Sequence, residues 1–334
     1  MAHQSTAFYM LHALYTPALS LAVSTAVLVV LLRARGLALD HPNERSLHAQ
    51  PVPRTGGIAI VLGCLPAMAI FFPESRALCS LAAALAIVSA IDDWKNLSVL
   101  VRLAAHFAAA AAWILQVAGS VSALEASLLV LAMVWLTNLY NFMDGSDGLA
   151  GGMAVIGFGA YAVCAWLAGY PSLASASASI ALAATPFLMV NFHPAHIFMG
   201  DAGSVTLGFL AGALGILGWH QGAWSASVPL VVFSPFIVDA TITLGRRALS
   251  GQRVWEAHRE HFYQKLVRMG FGHRNTALME YGVMLAAAAG AVSMVYLSPA
   301  AQIVVCAAWL ALLCIAGGFV DLAWNRHSRT GSEA

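Results

Sequence analysis

Charge is what this sequence has least of. Only 9% of its 334 residues are Asp, Glu, Lys or Arg, against roughly a quarter in soluble domains, too few to clothe a water-exposed surface. Cysteine is almost as sparse. The five present (Cys64, Cys79, Cys164, Cys306 and Cys314) lie in or beside apolar runs with no CxxC or Cys/His spacing, which excludes a disulfide framework and a zinc site. The net charge is +1 and no basic patch stands clear of the apolar runs, which excludes nucleic acid as a partner. No basic stretch precedes the first apolar run, and Arg33 and Arg35 follow it. A cleaved leader shows the reverse order, so this run reads as a membrane span. Internal repeats, low-complexity linkers and a separable polar segment are also lacking, and residues 1–334 are expected to form a single transmembrane domain.

What is abundant is apolar sequence, 60% of the chain, with a mean hydropathy of +0.78. Runs long enough to cross a bilayer, which takes ~20 residues each, fall near 11–32, 57–73, 77–91, 103–119, 124–143, 151–169, 173–192, 203–219, 226–244, 277–297 and 300–320. Backbone groups in hydrocarbon must be satisfied within their own segment, so these runs are read as helices. The expected fold is an all-α polytopic membrane protein of about eleven spans. Loops after the odd-numbered spans hold every Lys and Arg except Arg76. The positive-inside rule then puts the N-terminus outside, the C-terminus in the cytoplasm, and the loops 33–56, 92–102, 144–150, 193–202 and 245–276 on the cytoplasmic face.

Those loops carry nearly all the chemistry. In D40-H-P-N-E-R-S-L-H48, followed by P53-R-T-G-G57, Asn43, Arg45, His48 and Arg54 suit a phosphate, although a basic loop obeying topology alone would look similar. Asp92-Asp93 is a carboxylate pair at a membrane boundary. It suggests a metal, a bound basic group or a general base, against the plainer reading of helix-end acids neutralised by Lys95 and Arg102. Asn138, Asn141, Asp144 and Asp147 recur every three residues, a polar track down the end of a helix whose intramembrane depth argues for function. Asp201 lies between glycines in F198-M-G-D-A-G-S204, where its oxygens suit Mg²⁺ and Ser204 could cap the following helix. Nearby, Asn191 is polar and Phe198 could stack on a base, while His193 and His196 read as loop hydrogen-bonders. In the last loop Phe262, Leu266 and Met269 mark an amphipathic surface helix, beside which His258, Arg259 and His261 supply donors for phosphate or sugar. Asp239, with Arg246 or Arg247 as partner, Glu280 and His106 read as structural.

These motifs as a set, from about residue 33 to 275, resemble the polyprenyl-phosphate N-acetylhexosamine-1-phosphate transferases of glycosyltransferase family 4. The resemblance implies that Asp201 binds Mg²⁺, with Mn²⁺ as substitute, and that Asp92 and Asp93 handle the lipid phosphate or act as base. It places Asp144 among the catalytic acids. Asn138, Asn141, Asp147, Asn191 and Phe198 fall to the nucleotide, and the basic and histidine residues of the first and last loops to phosphate and sugar. The implied partners are a UDP-N-acetylhexosamine, undecaprenyl phosphate and the lipid bilayer, with a homodimer left open. The implied place is a bacterial inner membrane, with the site facing the cytoplasm. The last loop reads H258-R-E-H-F-Y-Q264 where other branches carry three clustered histidines. That is more like the Gram-negative O-antigen branch, which takes 6-deoxy sugars such as FucNAc or QuiNAc, with GlcNAc as the alternative. Two rivals explain less. An ion-coupled transporter would put polar residues towards both faces, and an aromatic prenyltransferase leaves the Asn43/Arg45/His48 loop without a role.

Overall fold

The computed structural model describes residues 2–34, 38–40, 51–117, 119, 121–255 and 258–331. Asn43, Arg45 and His48 lie outside the described residues. The chain is a bundle of α-helices: α1 (Ala2–Arg33), α2 (Gly56–Phe71), α3 (Arg76–Lys95), α4 (Val99–Val117), α5 (Ala123–Phe142), α6 (Leu149–Leu167), α7 (Pro171–Asn191), α8 (Asp201–Gln221), α9 (Ser227–Val232), α10 (Ser234–Leu249), α11 (Phe262–Leu266), α12 (Gly272–Met294) and α13 (Pro299–Gly331). A two-residue antiparallel pair, β1 (Leu39–Asp40) with β2 (Val52–Pro53), precedes α2. Among the described residues nine helices are long and apolar enough to cross a membrane. They coincide with nine of the eleven expected runs. The other two behave differently: α2 is short, at 16 residues, and the run at 226–244 is broken at Phe233 into α9 and α10. The break has a local cause. Pro235 has no N–H for the carbonyl of Val231 four residues back, and the Ser234 hydroxyl donates to that carbonyl instead, at 2.6 Å.

Lipid tails are as apolar as leucine, so helices in a membrane associate through close packing and interhelical hydrogen bonds. The central helix here is α8, almost wholly buried from Ala202 to Gly215. Its glycines make that position reachable. A Cβ on Gly208 would lie 2.8 Å from Thr137 Cα and from Tyr140 Cβ of α5, and a Cβ on Gly57 of α2 would run into the backbone of Gly203. Hydrogen bonds then tie neighbours to the bundle. The indole of Trp113 on α4 donates to the Ala213 carbonyl at 3.2 Å, Tyr161 on α6 to Ala211 at 3.2 Å, and Ser24 on α1 to Ala183 at 2.6 Å.

Where α2 crosses α8, β2 and the 197–200 segment are stitched together. Phe198 N donates to Pro53 O at 2.7 Å, Gly56 N to Phe198 O at 2.9 Å and Gly57 N to Met199 O at 2.8 Å. These bonds gather the first cytoplasm-assigned loop and the one before α8 at the same end of the bundle. Gly57→Val is expected to destroy this crossing. Overpacking against backbone costs about 1–3 kcal/mol or more, so the variant should lose its monodisperse peak, or several degrees of melting temperature, in detergent. An unchanged melting curve would contradict the close approach.

Candidate active site

Four helix ends and two turns converge here. Asp92, on the last turn of α3, is 6% exposed and fully engaged. Its Oδ1 accepts from Leu97 N at 2.6 Å and its Oδ2 from the Arg102 guanidinium of α4 at 3.0 Å. Asp93 points the other way, where its Oδ2 accepts the backbone N–H of Asp201 at 3.1 Å. A negative charge at the first N–H groups of α8 is favoured by the helix dipole. Arg54 approaches the same carboxylate at 3.8 Å. Asp201 itself is the first residue of α8 and is hydrogen-bonded by Asn141.

The expected helical track is half right in shape. Asn138 and Asn141 lie on the last turns of α5, but the helix ends at Phe142, so Asp144 and Asp147 sit in the turn leading to α6. Gly148, at φ +76°, lets that turn close. Asp144 faces Asp93 and Asp201. Burial, and then the charges of those two acids, hold its carboxyl well above the usual carboxylate range. A cluster of half-desolvated acids of one sign is a receptor for a cation. Among the described residues no three His, Cys, Asp or Glu side chains are arranged to cage a metal. That donor set fits Mg²⁺, which takes one or two carboxylates and keeps its remaining positions for water and substrate phosphates.

Beside this cluster, Asp147 accepts from His193 Nδ1 at 2.6 Å and Ala195 N at 3.2 Å. The ring of His193 stacks on His273, with centroids 5.4 Å apart, and His273 Nδ1 lies 2.9 Å from Ser146 Oγ. Asn191 holds two backbones together, accepting from Gly148 N at 2.9 Å and donating to Ile197 O at 2.8 Å. Phe198 is half-buried at the β2 stitch. His273, brought from 80 residues beyond His193, escaped the sequence reading because nothing local in F-G-H-R-N marks it. Ser204 does not cap α8 from its N-cap position; its hydroxyl donates to Gly200 O at 3.3 Å.

The last loop departs most from expectation. In place of an amphipathic surface helix it forms α11, five residues long and buried, with Phe262 7% and Tyr263 0% exposed. After it the chain turns through Gly270 at φ +98°. Asp239 on α10 explains the burial. Its Oδ1 accepts from Thr243 Oγ1, His261 Nδ1 and Phe262 N at 3.1, 3.0 and 3.0 Å, and its Oδ2 from Tyr263 N at 3.2 Å. Neither arginine partners Asp239 as anticipated. Arg247 pairs with Glu260 at 2.6 Å, and Arg246 pairs with Asp321 of α13. Tyr263 in turn donates to the Phe142 carbonyl at 3.2 Å, so α11 leans on the turn that carries Asp144. His258 stacks on His261, with centroids 4.9 Å apart. Burial, helped by His261 and Arg247, pushes its imidazole down to about 4. The Arg259 carbonyl accepts from Arg268 at 3.2 Å.

An apolar groove of about 630 Å³ opens onto the acids. Asp92, Arg102, Asn141 and Asp201 line its polar end, while Leu103, Phe107, Leu131, Trp135 and Leu244 line its flanks.

Known proteins resemble this chain in sequence. A family model described as glycosyl transferase family 4 matches residues 75–219. A protein of Bacillus subtilis, named a probable undecaprenyl-phosphate N-acetylglucosaminyl 1-phosphate transferase, is 31% identical over 73% of this chain and 74% of its own length. The chain belongs to glycosyl transferase family 4. The decaprenyl-phosphate N-acetylglucosaminephosphotransferase of Mycolicibacterium smegmatis is 31% identical, over 81% of this chain and 79% of its own. The undecaprenyl-phosphate alpha-N-acetylglucosaminyl 1-phosphate transferase of Escherichia coli K12 is 28% identical, over 75% and 74%.

Two outcomes test the last loop of this family member. Asp239→Ala strands the buried N–H groups of Phe262 and Tyr263 and should cost about 3–5 kcal/mol in denaturant unfolding, with Asp239→Asn milder. His258 holds its proton less readily folded than free, since its value falls from 6.5 to about 4. Its contribution to stability is therefore whole above pH 6.5 and is lost as pH drops towards 4. His258→Gln should flatten the fall in melting temperature over that window, and an unaltered fall would show that the ring is not held neutral.

Proposed function

We propose that this protein transfers a sugar 1-phosphate from a UDP-N-acetylhexosamine to a polyprenyl phosphate, preferably undecaprenyl phosphate, and releases UMP. The observation that carries this reading is the groove. It joins an apolar channel between helices to the Asp92 and Asp201 carboxylates and the Arg102 guanidinium, which suits a lipid with an anionic head better than any soluble acceptor. In the reaction an oxygen of the lipid phosphate attacks the β-phosphorus of the UDP-sugar. The P–O bond to the α-phosphate breaks, and the electron pair leaves with UMP. Arg102 and Arg54, placed on Asp92 and Asp93, lower the repulsion between two anionic substrates. Mg²⁺, held by Asp201 with Asp144 and Asp93 beside it, would neutralise the crowded phosphates. Asp147 beside the stacked His193 and His273, with Asn191 bonded to Gly148 in the same turn, supports a nucleotide on that side, and Phe198 is proposed to stack on its base.

The distribution of basic residues supports a site facing the cytoplasm of a bacterial inner membrane. The relatives' names favour GlcNAc as the sugar. The single His258/His261 pair in the last loop favours a 6-deoxy-N-acetylhexosamine, and with it an O-antigen-type pathway.

Purified protein given Mg²⁺, undecaprenyl phosphate and a panel of UDP-HexNAc donors is expected to release UMP with at least one of them, and the best donor identifies the sugar. No release with any donor would sink the proposal. Asp201→Asn should lower turnover by about 10²-fold or more and weaken Mn²⁺ binding measured by electron paramagnetic resonance. Full binding and activity in that variant would move the metal elsewhere.

A further inference from the structure

The groove holds one polar group that none of the preceding chemistry uses. His106, on α4 one turn beyond Arg102, lines the groove wall yet is only 7% exposed. Its Nδ1 is buried without a hydrogen-bond partner. The other side of the ring is accounted for, because Asn138 of α5 hydrogen-bonds it. The Asn138 amide nitrogen donates one of its two protons to the Val134 carbonyl at 2.7 Å, which leaves its second N–H and its carbonyl oxygen to the ring. Nδ1 accepts or donates in the neutral ring according to the tautomer, and donates in the charged one. Leaving such an atom unpaired costs on the order of 1–3 kcal/mol, a cost that packing alone would avoid with Phe or Leu in the same place.

We propose that His106 reads the phosphate of the acceptor lipid, its Nδ1 and the neighbouring Arg102 guanidinium forming the polar stop at the end of an otherwise apolar groove. This rests on the reading above that a polyprenyl phosphate is the acceptor. A phosphate monoester matches the site in either state of the ring. Monoprotonated, it offers an O–H to the neutral nitrogen; fully ionised, it offers an oxygen to the imidazolium. The other groups around the ring are Arg102 on its own helix, Asp92 on α3 and Asn138 on α5. Asp92 has both oxygens committed, to Leu97 N and Arg102. The imidazole is therefore the group left to complete a phosphate's coordination on this wall. Reaching the buried Nδ1 takes a turn of the ring about its soft terminal torsion, which exchanges the Asn138 contact for the phosphate and leaves α4 in place. A polyprenol, which lacks the phosphate, would fill the apolar flanks equally well and leave Nδ1 unpaired, so His106 separates phosphorylated from free lipid.

The test is a split in kinetic constants with an independent binding measurement. His106→Phe keeps the ring's bulk. It is expected to raise the KM for undecaprenyl phosphate about tenfold, the worth of one hydrogen bond to a charged group, and to leave the KM for the UDP-sugar within about twofold. His106→Gln, which keeps a donor and an acceptor, should recover part of the loss. An unchanged lipid KM in both variants, or equal rises in both KM values, overturns the assignment. Native mass spectrometry of the same proteins in nanodiscs, with undecaprenyl phosphate competing against undecaprenol, needs no turnover. Wild type should prefer the phosphate, and His106→Phe should lose about tenfold of that preference, the remainder resting on Arg102. Retention of the full preference in the variant overturns the proposal even if no UDP-sugar supports UMP release, an outcome that would fail the transferase reading alone.

Discussion

The contact on which the rest depends is the Asp93 carboxylate resting on the first N–H of α8, at 3.1 Å. A helix beginning inside a low-dielectric bundle exposes N–H groups that have no partner of their own. The N-cap of α8 is Gly200, which has no side chain to help. Its φ of +72° lets the Arg54 backbone and Asp93 come close; a Cβ there would lie 3.1 Å from the carboxylate oxygen. The cap for α8 is thus lent by α3, and three chain segments that are remote in sequence are fixed at one point. Because α8 is also the most enclosed helix, every neighbour that packs on it inherits that register.

Once Asp93 is placed, the electrostatics of the site follow. Asp201 is the residue whose N–H it caps, and Asp144 comes into the same space on the α5–α6 turn, so three acids share a volume where each raises the cost of ionising the next. Among the described residues two guanidinium groups pair with acids here, Arg54 at 3.8 Å from Asp93 and Arg102 at 3.0 Å from the neighbouring Asp92. More carboxyls than guanidinium groups, among the described residues, therefore meet in this poorly solvated place. The groove supplies the other half of the problem. Its flanks are apolar and lead directly to Asp92 and Asp201.

What the sequence conveyed well was anything expressed as a run or a one-sided bias. The long helices are legible because each apolar stretch must bury or solvate itself in lipid regardless of its neighbours. The acids and glycines near 92, 144 and 201 stood out because polar residues at membrane depth are costly. What it hid were contacts between distant residues. Asp239 read as a structural acid paired with Arg246 or Arg247, yet its four donors are other groups up to 24 residues away. His273 gains its meaning only from a ring 80 positions earlier, and His106 only from Asn138 and the groove beside it. The α11 segment misled for a different reason. A Phe-Leu-Met stripe at helical spacing is read as a surface face, yet the same stripe suits burial wherever a neighbouring carboxylate satisfies the helix start.

That last point governs how the final loop is held over the site. A five-residue helix cannot keep its own shape, and α11 is held from both sides by carboxylates on other helices. Asp239 grips its N-terminal N–H groups. On α13, Asp321 accepts from Lys265 at 2.7 Å and from Arg246. Phe262 lies under both of those cations, at 5.5 and 5.6 Å from its ring centre, and slots against Gly317, where a side chain would collide with it. An aromatic ring pressed on a glycine with two cations over its face is a geometry that hydrophobic pattern alone cannot specify, since any apolar residue would satisfy the pattern. The loop's address is therefore set by two buried or half-buried acids and one small residue. Through Tyr263 and the Phe142 carbonyl, that address is transmitted to the turn carrying Asp144, so the C-terminal helix, which touches none of the acids near 92, 144 and 201, helps decide where one of them stands.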